Sequence, residues 1–285
     1  MANRTEMTET TDAPASEDDV VGLVRAAAGE GRALVTEGGG TKRHVGAAAP
    51  AGARLVRLGR LARVVHEPAD MIVSVGAGAP LAEVQRLLAA HEQWLPLDPP
   101  FVRGGATLGG ILATGSSGPR RLGYGTAKDL LLGVRLVGAQ GQLTKSGGRV
   151  VKNVSGYDLH RPQVGAFGSL GVIVEAHFKV AARPETSALW ALPCAALDDA
   201  HGLLLEVAAS PLRPVALEAL DAAAAEFVRR GAPELPGAAG QAVAVVGIEG
   251  SRAVFERHAR DLATFAARGR AAPALVERPA AERLW

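Results

Sequence analysis

Aromatic rings are scarce: Phe, Trp and Tyr make up 4% of the 285 residues, so contacts to any large flat ligand are expected to fall mainly on backbone and aliphatic groups. Cysteine occurs once, at Cys194. One thiol excludes an intrachain disulfide and any CxxC redox or metal pair, and fits a reducing compartment. Net charge is low, +2 with a pI near 8.9, and the arginines are scattered, which gives no ground for a nucleic-acid surface. Long apolar runs are missing as well: none reaches the roughly 18 residues of a membrane helix. The start, MANRTEMTETTDAPASEDD, has no apolar stretch, so it does not read as a secretory signal. Residues 1–15 are expected to form a loose tail.

What the chain does have is glycine, 35 residues of it, concentrated in short loops between apolar segments. Hydrophobic residues at 48% and charged residues at 21% suit a globular chain with a full-sized core. Ser16 followed by Glu17, Asp18 and Asp19 reads as a helix start, and the Val20, Leu23, Val24, Ala27 spacing gives the helix one apolar face to about residue 28. Short strands follow at 33–36, 54–58, 63–66 and 71–75. Pro80 opens a helix to about His91 with a Leu81, Val84, Leu87, Leu88 stripe. Thr107 caps a short helix through Ala113, 130–137 and 142–145 form a hairpin, Asp158 caps a short helix toward Gln163, and 171–180 is a strand. On spacing alone, a turn-rich antiparallel sheet explains the glycines as well as a ligand does.

Beyond Arg183-Pro184 the composition shifts to alanine. Segments 197–209, 216–230 and 251–268 read as helices, with a strand at 242–248. We therefore expect an α+β chain with a first domain over 16–183 and a second α+β domain over 184–285. The last residues, Glu282-Arg283-Leu284-Trp285, end on a bulky apolar side chain, and the second domain is expected to be incomplete.

Three glycine motifs fail on inspection. Gly76-Ala77-Gly78-Ala79-Pro80-Leu81 has Leu at the sixth position of a dinucleotide fingerprint. Gly38-Gly39-Gly40-Thr41-Lys42 puts Lys after Thr, against the order of a P-loop. Phe167-Gly168-Ser169-Leu170-Gly171 lacks the first Gly of a nucleophile elbow. What remains is a pair of glycine loops, 38–42 and 106–118, whose N–H groups could converge on phosphate oxygens, helped by the start of the helix after Thr107.

ATLGGILATGSSGPRRLGYGTAKDLLLGVRLV (106–137), the block Lys152-Asn153-Val154-Ser155-Gly156-Tyr157-Asp158 and the segment Gly168-Ser169-Leu170-Gly171-Val172-Ile173 together resemble the FAD-binding domain of the vanillyl-alcohol oxidase/PCMH-type flavoproteins, over about 17–183. Within that family the segment is most similar to FAD-binding subunits of bacterial glycolate oxidase. The resemblance implies a two-subdomain FAD-binding fold followed by a cap. It implies that Gly38, Gly39, Gly40, Thr41 and Lys42 hold the pyrophosphate. Thr107, Leu108, Gly109, Gly110, Ser116, Ser117 and Gly118 would line the flavin and its phosphates, and Gly171, Val172 and Ile173 would pass beside the dinucleotide. Thr41 stands where some relatives carry a flavin-linking His, which implies a noncovalent FAD, with His44 a surface residue.

The implied activity is that of an FAD-dependent subunit of a glycolate or other 2-hydroxy-acid oxidising complex. A sister flavin subunit and an iron–sulfur subunit would be its partners, in the cytoplasm or at the inner membrane through them. Two rivals are a scaffold that keeps the fold without chemistry, and a stand-alone oxidase of another alcohol or sugar. From 184 onward no HxxxH and no paired His and Glu at ligand spacing occur. His201, Glu249 and His258 stand apart in the sequence, and no catalytic residue or metal ligand is nominated.

Overall fold

A computed structural model describes residues 11–149, 158–266 and 274–277. They fall into two compact units, one made of the residues up to Ser117 plus Thr126–Arg183, the other of Gly118–Gly125 plus the residues from Pro184 on.

In the first unit, β1 (Thr11–Asp12) precedes α1 (Glu17–Gly29), β2 (Leu34–Glu37) and β3 (Arg54–Arg57). These strands make a parallel sheet of order β1-β3-β2. Ser16 caps α1 as read from the sequence, its hydroxyl accepting from Asp19 N at 3.1 Å while the Asp19 carboxylate accepts from Ser16 N at 3.0 Å. Thr11 and Asp12 fall within the expected loose tail, yet they pair with Leu55 and Val56, and Asp12 forms a two-pronged ion pair with Arg54. A strand this short is held by a partner distant in sequence, which local composition does not announce.

Next come β4 (Val64–Glu67), β5 (Ile72–Gly76), α2 (Leu81–Ala89), β6 (Gln93–Trp94) and α3 (Leu108–Thr114). After α4 (Arg121–Tyr124), which belongs to the second unit, the first continues with α5 (Ala127–Leu130), β7 (Leu131–Val137), β8 (Leu143–Gly147), β9 (Val172–Lys179) and β10 (Ala181–Ala182). The main sheet has the order β4-β5-β9-β7-β8, antiparallel throughout. One apolar core joins Val20 and Val24 of α1, Leu81, Val84 and Leu88 of α2, and Leu108, Ile111 and Leu112 of α3 to Val73, Val75, Val134 and Phe178 of the sheet. The helix expected under an Asp158 cap is a single 3-10 turn at Arg161–Gln163, preceded by His160.

The second unit contains β11 (Thr186–Cys194), α6 (Leu197–Ala209), β12 (Ala216–Leu220), α7 (Ala222–Gly231), β13 (Ala242–Gly250), α8 (Arg252–Ala266) and β14 (Ala274–Glu277), with sheet order β12-β13-β11-β14. Alternate residues face opposite sides. Trp190, Leu192, Ala244 and Val246 meet Leu203 of α6 and Leu262 of α8, whereas Ala191 and Val243 meet Ala225 of α7. The helix expected over 216–230 is in fact a strand and a helix. Ala216–Leu220 pairs with β13, Asp221 breaks the run, and its carboxylate caps Ala224 N at 2.7 Å. Alanine favours a helix locally, but two residues that pack on opposite faces, Leu217 and Leu220, gain more from the sheet. Among the described residues no helix is long and apolar enough to cross a membrane.

Candidate functional site

The first unit carries a cleft of about 780 Å³. Its walls are the second half of α1 (Val24, Ala27, Ala28), β2, the loop that follows β2 from Gly38 to Ala49, the outer side of α3 (Gly110, Ala113, Thr114), the end of β7 (Val137) and the loop Phe167–Val172. This volume is in the range of sites for large organic ligands.

The loop after β2 supplies the polar chemistry. The N–H groups of Gly39, Gly40, Thr41 and Lys42 donate to no acceptor among the described residues. Gly40 takes a left-handed φ of 66°, the kind of backbone turn in which successive N–H groups can converge on an anion. Lys42 lines the cleft without an ion-pair partner among the described residues, and burial lowers its pKa from the ordinary lysine value. Beside it, Glu37 is bound by Arg43 and by Arg57, the latter at 3.4 Å, so its charge is already matched. A row of unsatisfied donors next to a desolvated ammonium is a place for an anion.

The second glycine loop does a different job. Thr107 caps α3, its hydroxyl accepting from Gly110 N at 3.3 Å. Leu108 N donates to Ala79 O at 2.9 Å and Gly109 N to Ala77 O at 2.9 Å. The first-turn N–H groups of α3 are therefore satisfied inside the protein, and the anion site expected at this helix start is not available. Gly109 itself is a packing residue, since a Cβ there would lie 2.6 Å from Ala77 Cβ. Gly76 and Gly78 serve the same purpose against the carbonyls of Leu61 and Leu58, at 2.1 and 2.0 Å from a Cβ. The fingerprint-like motif is thus a close strand-to-helix turn.

Of the residues expected at the site, Gly38, Gly39, Gly40, Thr41, Lys42, Thr107, Gly110, Gly171 and Val172 line the cleft. Gly109 and Ile173 line a narrow pocket of about 50 Å³ that shares Thr36, Gly38 and Gly110 with it. Gly171 has φ 146°, and a Cβ there would lie 2.9 Å from Val137 O, so this glycine is required by the approach of two strands. Leu108 is fully buried in the core and does not reach the cleft. Ser116 and Ser117 do not line it either. Ser116 Oγ is 2.6 Å from Thr114 Oγ1, and Gly118 groups with the second unit. Lys152, Asn153 and Tyr157 lie outside the described residues, and Asp158 is exposed, paired with Arg161 at 3.4 Å. His44 is exposed and meets Phe101 edge-on at 5.7 Å.

Sequence reasoning missed Val24, Ala27, Val137 and Phe167 as cleft residues, because each is brought to the cleft by partners distant in sequence, Phe167 through its bond to Ala113 O of α3. It also passed over Glu249 as isolated. In the second unit the buried Glu249 carboxylate accepts from Arg120 at 2.6 Å, Tyr124 at 2.8 Å and Ser187 at 2.9 Å. Burial, reinforced by this carboxylate, pushes the Tyr124 hydroxyl well above the ordinary phenol value, so Tyr124 donates. The cluster ties α4 to β11 and β13. His258 is satisfied on both nitrogens, by Val254 O at 2.7 Å and Arg213 N at 3.0 Å, and His201 is exposed. Among the described residues no group of three or more His, Cys, Asp or Glu could hold a metal.

A family model described as "FAD binding domain" matches residues 9–147. The glycolate oxidase subunit GlcE of Escherichia coli K12 is 40% identical over 124 residues, 44% of this chain and 35% of that protein. D-2-hydroxyglutarate dehydrogenase of Xanthomonas citri pv. viticola is 33% identical over 210 residues, 73% of this chain and 43% of the relative. D-lactate dehydrogenase of Archaeoglobus fulgidus is 29% identical over 75% of this chain and 48% of its own length. The matches thus take in less than half of each of these relatives. Among solved structures, alkyldihydroxyacetonephosphate synthase superposes with a TM-score of 0.77 at 21% identity, over 96% of this chain and 55% of that one, which shows a shared fold. The free loop donors, the desolvated lysine and the size of the cleft suit a dinucleotide pyrophosphate. The chain thus carries, over residues 9–147, an FAD-binding domain, and its cofactor is FAD.

Proposed function

We propose that this chain is an FAD-binding subunit of a complex that oxidises glycolate or a related small 2-hydroxy acid, with a sister flavin subunit and an iron–sulfur subunit as partners. In this reading residues 16–183 form the flavin domain, 184–285 a cap-like domain, and FAD is held noncovalently. The observation that carries the reading is the loop Gly39–Lys42, with four free N–H donors and a partially buried ammonium at the wall of a dinucleotide-sized cleft. It is supported by 40% identity to a glycolate oxidase subunit. Thr41 offers no nitrogen to form a bond to the flavin ring, in keeping with noncovalent binding.

The chain's own contribution is binding and orientation. Loop N–H groups and Lys42 take the pyrophosphate charge, Gly171 and Val172 let the dinucleotide run close to the backbone, and the aliphatic wall of Val24, Ala27 and Val137 excludes water. FAD supplies the two-electron acceptor that an alcohol-to-carbonyl oxidation needs.

Two measurements test this. The purified chain is mixed with FAD, freed of excess, and its visible spectrum recorded. Retention of the oxidised flavin bands is expected, and a colourless protein would overturn the reading. Co-purification from the source cell with an iron–sulfur protein, together with glycolate oxidation by the assembly, tests the complex. Full turnover of an alcohol or sugar by the isolated chain would instead favour a stand-alone oxidase. Unchanged activity of an assembly whose chain has lost FAD through Lys42→Glu would make it a scaffold.

A further inference from the structure

Resting on the FAD reading, we propose that Phe167 is an aromatic wall of the cleft, on which one of the two flat rings of the dinucleotide stacks. Phe167 is the one aromatic side chain among the described residues lining the cleft. It belongs to the Phe167–Gly171 motif that fails as a nucleophile elbow, and no other feature of the site accounts for it.

Its setting is unusual for a surface phenylalanine. Single exposed apolar residues are ordinary, but Phe167 is 54% exposed and at the same time held at φ 52°. A bulky side chain in the left-handed region is strained, and such strain persists only where the surroundings enforce it. Here they do. Phe167 N donates to Ala113 O at 2.8 Å and Gly165 N to Leu112 O at 2.9 Å, which ties the loop to the end of α3. Ser169 closes a turn on Ala166 O through both its N–H, at 2.9 Å, and its hydroxyl, at 2.7 Å.

Gly46 lies beside the ring, where a Cβ would be 3.7 Å from Phe167 Cδ1 and 3.8 Å from Cε1. The cleft-lining residues next to it, Gly46, Ala113 and Gly168, are small. A ring half-exposed on a tethered loop and lining the cleft offers apolar surface to a planar partner. Adenine and isoalloxazine share that chemistry, and offset stacking on a phenyl ring suits both.

The test measures binding of FAD, ADP and FMN to the full chain by titration calorimetry, for the wild type, Phe167→Leu, Phe167→Met and Phe167→Tyr, with melting of each apo-protein as a control of folding. Leucine and methionine keep the apolar bulk without the ring, and tyrosine keeps the ring. The expected result is FAD affinity lowered about tenfold by Phe167→Leu and Phe167→Met and retained within a few-fold by Phe167→Tyr. A parallel loss for ADP assigns the ring to adenine, and a parallel loss for FMN assigns it to the flavin. Wild-type affinity in both ring-less variants, or an equal loss in Phe167→Tyr, overturns the stacking while leaving the FAD reading intact. Failure of the wild type itself to take up FAD overturns that reading first and the stacking with it.

Discussion

Gly38 and Thr107 touch so closely that a Cβ on Gly38 would lie 2.0 Å from Thr107 Oγ1 and 3.1 Å from its Cβ. The two glycine loops therefore meet each other, 69 positions apart in the chain, at the edge of the cleft they both line. Gly39 repeats the contact against backbone, since its Cβ would lie 2.0 Å from Gly105 O. The lack of side chains at 38 and 39 lets the loops close on one another and leaves the N–H groups of Gly39 to Lys42 free for a ligand.

That contact predicts a double-mutant cycle. Gly38→Ala forces the loops apart and is expected to lower stability by about 1–3 kcal/mol, the usual cost of overpacking. Thr107→Ala removes the α3 cap and is expected to cost about 1 kcal/mol. In the double variant the hydroxyl that clashes is gone, so its loss should be smaller than the sum of the two. Denaturant unfolding of the four proteins reads the coupling, and strict additivity would show that the loops do not press on each other.

Lys42 predicts a pH dependence with a definite sign. Burial lowers its pKa below the usual lysine value, and an anion beside it favours the charged form, so the pKa is higher with FAD bound than without. Binding then takes up protons as pH rises toward the free-state pKa, and affinity falls with rising pH above it. Lys42→Met is expected to lose both this pH dependence and roughly tenfold in affinity, about 1.4 kcal/mol. Titration of FAD or inorganic pyrophosphate at several alkaline pH values checks the prediction, and a flat profile in the wild type would place the anion elsewhere.

How much of this was legible in the sequence depends on how local the determinant is. Ser16 with Asp19, Pro80 before α2 and Thr107 before α3 act within a few residues, and the structure finds each where the sequence put it. The strand Ala216–Leu220 was not legible, because its preference is set by β13, which follows more than 20 residues later. Glycine was ambiguous in the same way. Gly40 faces the cleft, whereas Gly109 is needed for contact with Ala77, and both look alike in a motif. Glu249 stood alone in sequence because its partners, Arg120, Tyr124 and Ser187, lie 62 to 129 positions away.

His177 predicts acid sensitivity. The ring is 3% exposed, with Nδ1 2.9 Å from the Ser74 hydroxyl. Burial first, then the positive charges of Arg149, Lys145 and Arg135, push its pKa down to about 4, outweighing the Glu175 carboxylate 3.4 Å away. The unfolded chain therefore binds more protons than the folded one between about pH 6.5 and 4. Stability from this site is complete above about 6.5 and is lost as pH falls through that window, by an amount on the order of 1–3 kcal/mol. His177→Gln should flatten this part of the stability curve, and an unchanged curve would exclude His177 as its source.

Glu249 predicts the largest single loss. Its side chain is 1% exposed and that of Arg120 13%, so the pair sits out of water with Tyr124 and Ser187 completing the acceptor's bonds. Removing one partner of a buried pair leaves the other charge uncompensated, at a cost of about 3–5 kcal/mol. Glu249→Ala should thus destabilise the second unit strongly. Glu249→Gln should be milder, because its carbonyl oxygen still accepts although its amide confronts donors. Arg120→Met with Glu249→Leu removes both charges together and should recover much of the loss, since well-packed apolar pairs replace buried ion pairs at little cost. Thermal melting of the three variants ranks them, and a double variant no better than Glu249→Ala would show that the carboxylate matters for the hydroxyls of Tyr124 and Ser187 more than for Arg120.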